Sequence, residues 1–377
     1  FETSVVRSGA RSIRRAAGSS ASKYALTRPA LTSTFVTVAR VYIRFEALPN
    51  VDCHILSVGS GNMGVRFKVS DNSLYAANLT TFGASGVAVT TGVWYLIDCR
   101  LNSTNNPWLI DVSVNGTACG QASAAFSGAE HSYQVICGNT SVTADFDCCY
   151  DDVLISLTSA DYPIGAGFVN HFVPTSDGTH NIAGAADFRR GGTTTDILNS
   201  TTNAYLLVDD VPLDDVTPDT DDHIRIAAPA NATDYVECVY GPAPGISIPT
   251  AAPRAVEVIA EFFDAGTLAS DEILKLNDNG TVNNVYDGTG VVGTTTGIYK
   301  RKHYATAPTG GAWTVSAGAG NFNNIRFRYG FASDANPDKS LMCTMIEAEF
   351  AEIILTIPGT PSDKRFTNTG VGLIIKK

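Results

Sequence analysis

The chain has 377 residues, of which 44% are hydrophobic and 17% are charged, and its formal net charge is −11 at pH 7. This negative charge argues against nucleic acid or an anionic membrane as a partner, because both attract basic proteins. No apolar run reaches the roughly 18 residues that a membrane-spanning helix needs. The length is sufficient for two domains, each with its own hydrophobic core.

Alternating apolar and polar residues predict antiparallel strands through the first part of the chain. The apolar faces of three such strands are Val41, Ile43 and Phe45; Tyr95, Ile97, Cys99 and Leu101; and Trp108, Ile110, Val112 and Val114. The dipeptide Asn115-Gly116 follows the third strand and predicts a type I′ hairpin turn, since both residues tolerate a positive φ. We therefore expect an antiparallel meander over residues 36–156.

The segment FDCCYDDVLIS, residues 146–156, carries adjacent cysteines and adjacent aspartates. Neighbouring side chains on a strand point to opposite faces, so neither pair can hold one metal ion together. Apolar side chains occupy even-numbered positions up to Tyr150, whereas Val153 and Ile155 occupy odd-numbered positions. On a regular strand these two sets, which Asp151–Asp152 separate, would face opposite sides of the sheet. We predict a β-bulge or a sharp twist at these aspartates.

The chain reads as an all-β protein built from tandem antiparallel β-sandwiches. The first sandwich is expected over residues 1–160. A connecting region, 161–222, ends in VDDVPLDDVTPDTDD, which has seven aspartates in fifteen residues. A second sandwich is expected over residues 223–357, and a C-terminal tail or strand over 358–377.

The cysteines leave one pairing open. The eight are Cys53, Cys99, Cys119, Cys137, Cys148, Cys149, Cys238 and Cys343. Cys238 and Cys343 lie in the first and last predicted strands of the second sandwich, which are often neighbours. They form either a disulfide or two free buried thiols.

Glu347, Glu349 and Glu352 are the strongest candidates for chemistry. Their spacing resembles the E-x-D-x-x-E arrangement of laminarinase-type glucanases, in which two carboxylates act as nucleophile and acid/base. Glu349 replaces the Asp of that pattern, and we expect the neighbourhood of these glutamates to lack the aromatic residues that would stack on sugars. Glutamates on the solvent face of a terminal strand are the alternative. We expect no catalytic residue.

Other motifs of catalysis or cofactor binding are missing from the sequence. None of the six histidines has metal-ligand spacing with another, and no P-loop, nucleophile elbow or dinucleotide fingerprint occurs. We expect no cofactor and no metal. The aspartate run 209–222 is a solvated linker or a loose calcium site.

Two basic clusters accompany this acidic run, and they are Arg7, Arg11, Arg14 and Arg15, and Lys300, Arg301 and Lys302. They either meet the acidic run of a neighbouring subunit or lie on solvated strand faces.

The segments TTGVWYLIDCRLN, WLIDVSVNG and FDCCYDDVLIS resemble the closing strands of a concanavalin A-like (laminin-G-like) jelly roll. Together with DYPIGAGFVNHFVPTSDGTHN and IYKRKHYATAPTGGAWT, they resemble bacteriophage and prophage proteins that carry such a jelly roll and a second β-domain. The resemblance implies a structural virion or surface-assembly protein and no particular catalytic residue.

The leading hypothesis is therefore a non-enzymatic, self-assembling structural protein of a phage particle, as a decoration, tail or fibre component. It would lie on a virion or extracellular surface, with copies of itself and other particle proteins as partners, and surface glycans as further candidates. One alternative is a bacterial extracellular filament in which VGLIIKK, residues 371–377, completes a neighbour's sheet. Others are a carbohydrate-binding module, with Trp94, Trp108 and Trp313 as candidate aromatics, and a glucanase that uses Glu347 and Glu352.

Overall fold

The computed structural model describes residues 4–8, 12–18, 23–27, 36–58, 63–125, 134–138, 144–182, 188–190, 203–208, 223–226, 234–243, 246, 248–264, 272–278, 280–286, 298–331 and 339–351. In these ranges the regular structure consists of β-strands and short 3₁₀ turns. The chain divides into two compact units, Phe1–Phe168 and Val169–Lys377. The protein is all-β, as predicted.

The strands of the first unit are β1 (Ile13–Arg15), β2 (Lys23–Thr27), β3 (Val36–Ala47), β4 (Cys53–Val58), β5 (Met63–Lys68), β6 (Ser73–Asn78), β7 (Phe82–Ala88), β8 (Trp94–Asn102), β9 (Trp108–Val114), β10 (Thr117–Ala124), β11 (Gln134–Gly138) and β12 (Asp147–Ser156). A 3₁₀ turn, Ser159–Asp161, follows them.

These strands form two six-stranded sheets. The first sheet has the order β1-β12-β3-β8-β9-β10, and the second sheet has the order β2-β11-β4-β5-β6-β7. Apolar side chains from both sheets share one buried cluster, in which the rings of Phe45 and Phe67 lie 6.1 Å apart. The first unit is therefore an antiparallel β-sandwich, and the three predicted apolar strand faces all lie in its core.

The expected meander over residues 36–156 is wrong in its connections. Consecutive strands pair from β4 to β7 and from β8 to β10, whereas β3 pairs with β8 and β12. The alternation of residues identifies a strand but says nothing about a partner that is distant in sequence. The Asn115-Gly116 turn between β9 and β10 is confirmed, with φ values of 50° and 78°.

The predicted irregularity at Asp151–Asp152 is also confirmed. The register of β12 against β3 shifts between Asp151 and Leu154, and Asp152 has a φ of 50°. Tyr150 before this bulge and Val153 after it both pack against the same core. The extra residue thus returns the apolar side chains to one face of the sheet.

The strands from Gly167 onwards are β13 (Gly167–Asp177), β14 (Phe188–Arg190), β15 (Ile224–Ile226), β16 (Tyr235–Pro242), β17 (Ala255–Asp264), β18 (Glu272–Asp278), β19 (Thr281–Tyr286), β20 (Ile298–Tyr304), β21 (Arg326–Phe331) and β22 (Lys339–Ala351). Two 3₁₀ turns, Ala204–Leu207 and Phe322–Asn324, accompany them.

These strands form one ten-stranded sheet with the order β14-β15-β22-β13-β16-β21-β18-β19, while β17 pairs with β22 and β20. Strands β17 and β21 are four strand spacings apart along this sheet, about 19 Å if it were flat. The buried rings of Phe262 on β17 and Tyr329 on β21 nevertheless lie 6.2 Å apart. The sheet therefore curls so that its two halves pack face to face as a sandwich.

Part of the expected connecting region 161–222 belongs to this second sheet. Strand β13 lies between β22 and β16, and its residues Phe172 and Val173 are buried. The aspartate run 209–222 lies outside the described residues, and so do the expected tail 358–377 and its segment VGLIIKK.

Of the two alternatives left open for Cys238 and Cys343, the disulfide is not formed. Cys238 carries a free, buried thiol. Strand β13 separates β16, which holds Cys238, from β22, which holds Cys343. Two strand spacings are about 9.5 Å, beyond the Cα separation that a disulfide spans. The two strands lie in one sheet, as expected, but they are not neighbours.

Candidate functional site

The second sheet presents one face to the core and the other away from it. Phe67 of β5 and Leu74 of β6 are fully buried in the core. Side chains that alternate with these along each strand lie on the opposite face, and Arg66 of β5 is directly opposite Tyr75 of β6. We call this surface the outer face, and its residues considered below are His54, Arg66, Lys68, Tyr75 and Phe82.

Two aromatic rings stand side by side on the outer face. The ring centroids of Tyr75 and Phe82 are 5.3 Å apart, with an edge-to-face angle of 66°. The Tyr75 ring lies above Gly86, where an added Cβ would come within 2.4 Å of the ring atoms Cε2 and Cζ. The Tyr75 hydroxyl donates to Asp71 Oδ2 at 2.5 Å. Both rings are half-buried, so each is held in place while part of it meets solvent.

Two cationic side chains of β5 lie over these rings. The Arg66 guanidinium carbon is 4.5 Å from the Phe82 centroid. Lys68 Nζ is 5.2 Å from the Tyr75 centroid and 5.6 Å from that of Phe82. His54 faces Arg66 across the strands, and burial, followed by the Arg66 charge, lowers the pKa of His54 to about 4. His54 is therefore neutral near pH 7, while the positive charge at the rings comes from Arg66 and Lys68.

The tryptophans considered as candidates for stacking on sugars were Trp94, Trp108 and Trp313, of which Trp108, on the apolar face of its strand, was expected in the core. Trp108 and Trp313 are buried, each with 5% of its surface exposed, whereas Trp94 is half-buried. The alternation in SLYAAN could have marked Tyr75 as facing away from the core. Phe82 gave no such signal, because the pairing of β6 with β7 changes register between Tyr75 and Ala77.

The glucanase-like glutamates do not share one environment. Glu347 is half-buried, and its Oε1 lies 3.4 Å from His171 Nε2. Glu349 is buried, and its Oε2 lies 3.6 Å from Arg254 Nε. Glu352 lies outside the described residues. Spacing along the strand placed Glu347 and Glu349 on one face, but only the tertiary contacts showed that Glu349 is buried and lies beside the exposed Arg254.

The sheet brings other ionisable residues to Glu347. Glu257 of β17 is directly opposite Glu347, and His303 of β20 is directly opposite Glu257. No sequence spacing could have revealed this row, because its members come from distant strands. Across the described part of the chain, no group of three or more His, Cys, Asp or Glu side chains is arranged to hold a metal ion.

A buried carboxylate organises the other end of the second unit. Glu237 is 1% exposed and accepts hydrogen bonds from Arg328 Nε (2.6 Å) and Arg326 Nη1 (3.0 Å). Asn277 Nδ2 (2.7 Å) and the Thr179 amide (3.1 Å) also donate to it. Burial alone would raise the pKa of Glu237, but these donors, Arg328 foremost, hold it below its usual value. The cluster is structural, since its donors are directed at the carboxylate.

Three arginines of the first basic cluster bind acceptors of their own unit, while Arg11 lies outside the described residues. Arg7 Nη1 lies 2.5 Å from Asp152 Oδ2, and Arg14 Nη2 lies 2.8 Å from Asp147 Oδ2. Arg15 is buried and donates to the Ala144 carbonyl oxygen at 2.8 Å. These three side chains thus have partners within the unit, contrary to the solvated or intersubunit roles expected for them. Lys302 of the second cluster is exposed.

In the residues that the structure describes, no helix has the length and apolar character needed to cross a membrane.

No protein-family model matches the chain, and no curated protein matches it either. Solved structures do resemble it at low similarity. One is the CBM22-1–CBM22-2 tandem domain of Paenibacillus barcinonensis Xyn10C, at 10% identity, covering 92% of this chain and 89% of that chain, with a TM-score of 0.24. Domains LG4-5 of the mouse laminin alpha1 chain match at 8% identity, covering 94% and 86%, with a TM-score of 0.28.

The receptor-binding domain of botulinum neurotoxin type G matches at 9% identity, covering 77% of this chain and 76% of that chain, with a TM-score of 0.23. TM-scores this low carry no argument about the function of the present chain.

Proposed function

We propose that this protein binds glycans on the outer face of the second sheet and that it acts by binding rather than by catalysis. The observation that carries the proposal is the half-buried pair of Tyr75 and Phe82. An aromatic ring has a negative face, which attracts the weakly positive C–H groups of a sugar ring. Two rings at a fixed angle offer such a surface without further ordering of the protein, which lowers the entropic cost of binding.

The surroundings of the two rings favour a flat, polar ligand. Strand β7 beside Tyr75 exposes the small residues Ala84, Ser85, Gly86 and Ala88. These side chains leave the rings standing above the neighbouring backbone. Arg66 and Lys68 supply hydrogen-bond donors next to the apolar surface, and this combination of apolar area with a few placed polar groups is typical of ligand sites.

The test is a glycan array followed by titration calorimetry of the strongest ligand. We expect Tyr75→Ala and Phe82→Ala each to weaken binding about tenfold, which corresponds to about 1.4 kcal/mol of lost stacking. Gly86→Ala should also weaken it, because the added methyl group displaces the Tyr75 ring.

The matched control is Tyr235→Ala in the second unit. Tyr235 is also half-buried and also carries a guanidinium over its ring, that of Arg328 at 4.3 Å. The Tyr235→Ala variant should leave glycan binding unchanged. The proposal fails if the wild-type protein binds no glycan, or if the Tyr75 and Phe82 variants bind as the control does.

A second candidate function is that of a structural protein in a phage particle, on a virion or extracellular surface. It is favoured by the resemblance of TTGVWYLIDCRLN and FDCCYDDVLIS, with the later segments, to phage proteins that pair a jelly roll with a second β-domain. The tandem sandwiches agree with that organisation. This role requires contacts with copies of the chain or with other particle proteins, and glycan binding is compatible with it.

A further inference from the structure

We infer, resting on the proposed function, that the glycan is acidic and that Arg66 binds its carboxylate while Tyr75 and Phe82 contact the sugar ring. The inference concerns which class of glycan the outer face selects. Aromatic rings alone do not distinguish neutral from acidic sugars, because both present C–H groups. The cations over the rings make that distinction.

Arg66 has hydrogen-bonding capacity that the described residues of its unit leave unused. Among these residues its guanidinium donates from Nη1 to the Asn78 carbonyl oxygen at 3.4 Å; Nε has no acceptor but is buried, so a ligand would be bound through the terminal nitrogens. A guanidinium offers five N–H donors in a planar fork that matches a carboxylate. The Arg66 fork therefore contrasts with those of Arg326 and Arg328, whose donors are bound to the Glu237 carboxylate.

The carboxylates near the outer face lie at its margin. Asp71 accepts the Tyr75 hydroxyl and lies 4.0 Å from Lys68 Nζ. Burial lowers the pKa of Arg66, and the charge of Asp52 partly offsets this effect; Asp52 also accepts the Val69 amide at 2.8 Å. Both residues belong to turns that flank β4 and β5, whereas Arg66 and Lys68 lie over the rings. A ligand seated on the rings thus meets the cations first.

The ligand class follows from these positions. A carboxylate beside a sugar ring can form two parallel hydrogen bonds with Arg66 while the ring contacts the aromatic pair. Such charge-assisted bidentate bonds are among the stronger polar contacts in proteins. Lys68 is a point charge on a flexible stem and adds attraction without fixed geometry. A sulfated sugar shares the negative charge but matches the planar fork less well.

The experiment compares sialyllactose with lactose, and an oligoglucuronate with the same oligosaccharide after carboxyl reduction. Sulfated lactose distinguishes sulfate from carboxylate. We expect the wild-type protein to bind each carboxylated probe about tenfold more tightly than its neutral counterpart, and to lose this preference as salt rises. Arg66→Gln should abolish the preference while neutral binding remains, and Arg66→Lys should restore only part of it.

Two further variants should change the affinity for acidic glycans in opposite directions, a result that loss of folding could not produce. Lys68→Gln should weaken acidic binding about threefold, and Asp71→Asn should strengthen it about twofold, since each changes one charge near the ligand. Lys302→Gln, an exposed lysine of the second unit, is the control and should change nothing. These two variants keep the test valid if Arg66→Gln does not fold.

The outcomes separate this inference from the proposed function. Equal binding of acidic and neutral probes by the wild-type protein overturns the inference and leaves glycan binding intact. A preference that survives both Arg66→Gln and Lys68→Gln also overturns it. Failure of every probe and of the array to bind removes the proposed function itself.

Discussion

At the scale of single residues, the buried charges of this protein depend on complete sets of partners. A carboxylate out of water is tolerated only when donors replace its hydration. Glu237 has four such donors, two of them arginines. The Glu237 side chain is closely packed against Gly178. A Cβ added at Gly178 would lie 2.5 Å from Glu237 Oε1.

We therefore expect Gly178→Ala to displace Glu237 and to lower the free energy of unfolding by about 1–3 kcal/mol, the usual cost of overpacking a buried site. Urea denaturation followed by tryptophan fluorescence measures it. Gly311→Ala is the control, since no atom of the described residues lies within 4 Å of the Cβ it would add. Equal stability of the two variants would contradict the prediction.

At the scale of elements, the bulge in β12 creates a binding place for residues 4–8. It presents Asp151 and Asp152 together, and Asp151 Oδ2 accepts the amides of Arg7 (2.7 Å) and Ser8 (3.3 Å). The Arg7 guanidinium binds Asp152 and lies 3.4 Å above the Tyr42 ring. A regular strand would have placed the two carboxylates on opposite faces, so this contact depends on the irregularity.

This bulge predicts a dependence of stability on pH. Burial, and then the neighbouring Asp152 charge, raises the pKa of Asp151 to about 7, whereas in the unfolded chain an aspartate ionises near about 3.9. The folded state therefore binds more protons between these values. Stability should fall by at least about 1 kcal/mol as the pH rises from about 4 to about 7, and this loss should then level off.

Asp151→Asn should remove this part of the pH dependence, because the amide cannot ionise but keeps an oxygen that accepts the Arg7 and Ser8 amides. Urea unfolding midpoints of both proteins at pH 5 and pH 8 provide the comparison. Asp161→Asn, at an exposed position, should retain the wild-type profile. A profile for Asp151→Asn that parallels the wild type would rule out the assignment.

At the scale of the whole molecule, two β-units each bury a core of their own, the first between two sheets and the second within one curled sheet. A structural protein of a particle must associate with other copies of itself, whereas a glycan-binding protein need not. The edge strands of sheets are the elements through which β-proteins commonly associate.

If the chain is a structural component of a particle, the purified protein should form defined oligomers or filaments. Sedimentation velocity over a hundredfold range of concentration, with negative-stain microscopy of the most concentrated sample, measures this. Monodisperse monomers throughout would contradict self-assembly and would leave the glycan-binding proposal unaffected. Oligomers of one fixed size would favour a decoration or tail component over an open filament.

The sequence alone determined the buried side of those strands in which apolar and polar residues alternate clearly. Period-two alternation reports the face of a strand directly, so the core residues around Val41, Ile97 and Ile110 were predictable. The change of parity at Asp151–Asp152 predicted the bulge for the same reason. Both conclusions use information contained within a few neighbouring residues.

Only the tertiary structure decided which strands become neighbours, because pairing joins residues that are distant in the chain. It placed β13 between the strands of Cys238 and Cys343, and it put the buried Glu349 beside the exposed Arg254. It also brought Tyr75 and Phe82 together under Arg66. A functional surface made from several strands depends on register and sheet order, which nonlocal hydrogen bonds and core packing set and local patterns do not encode.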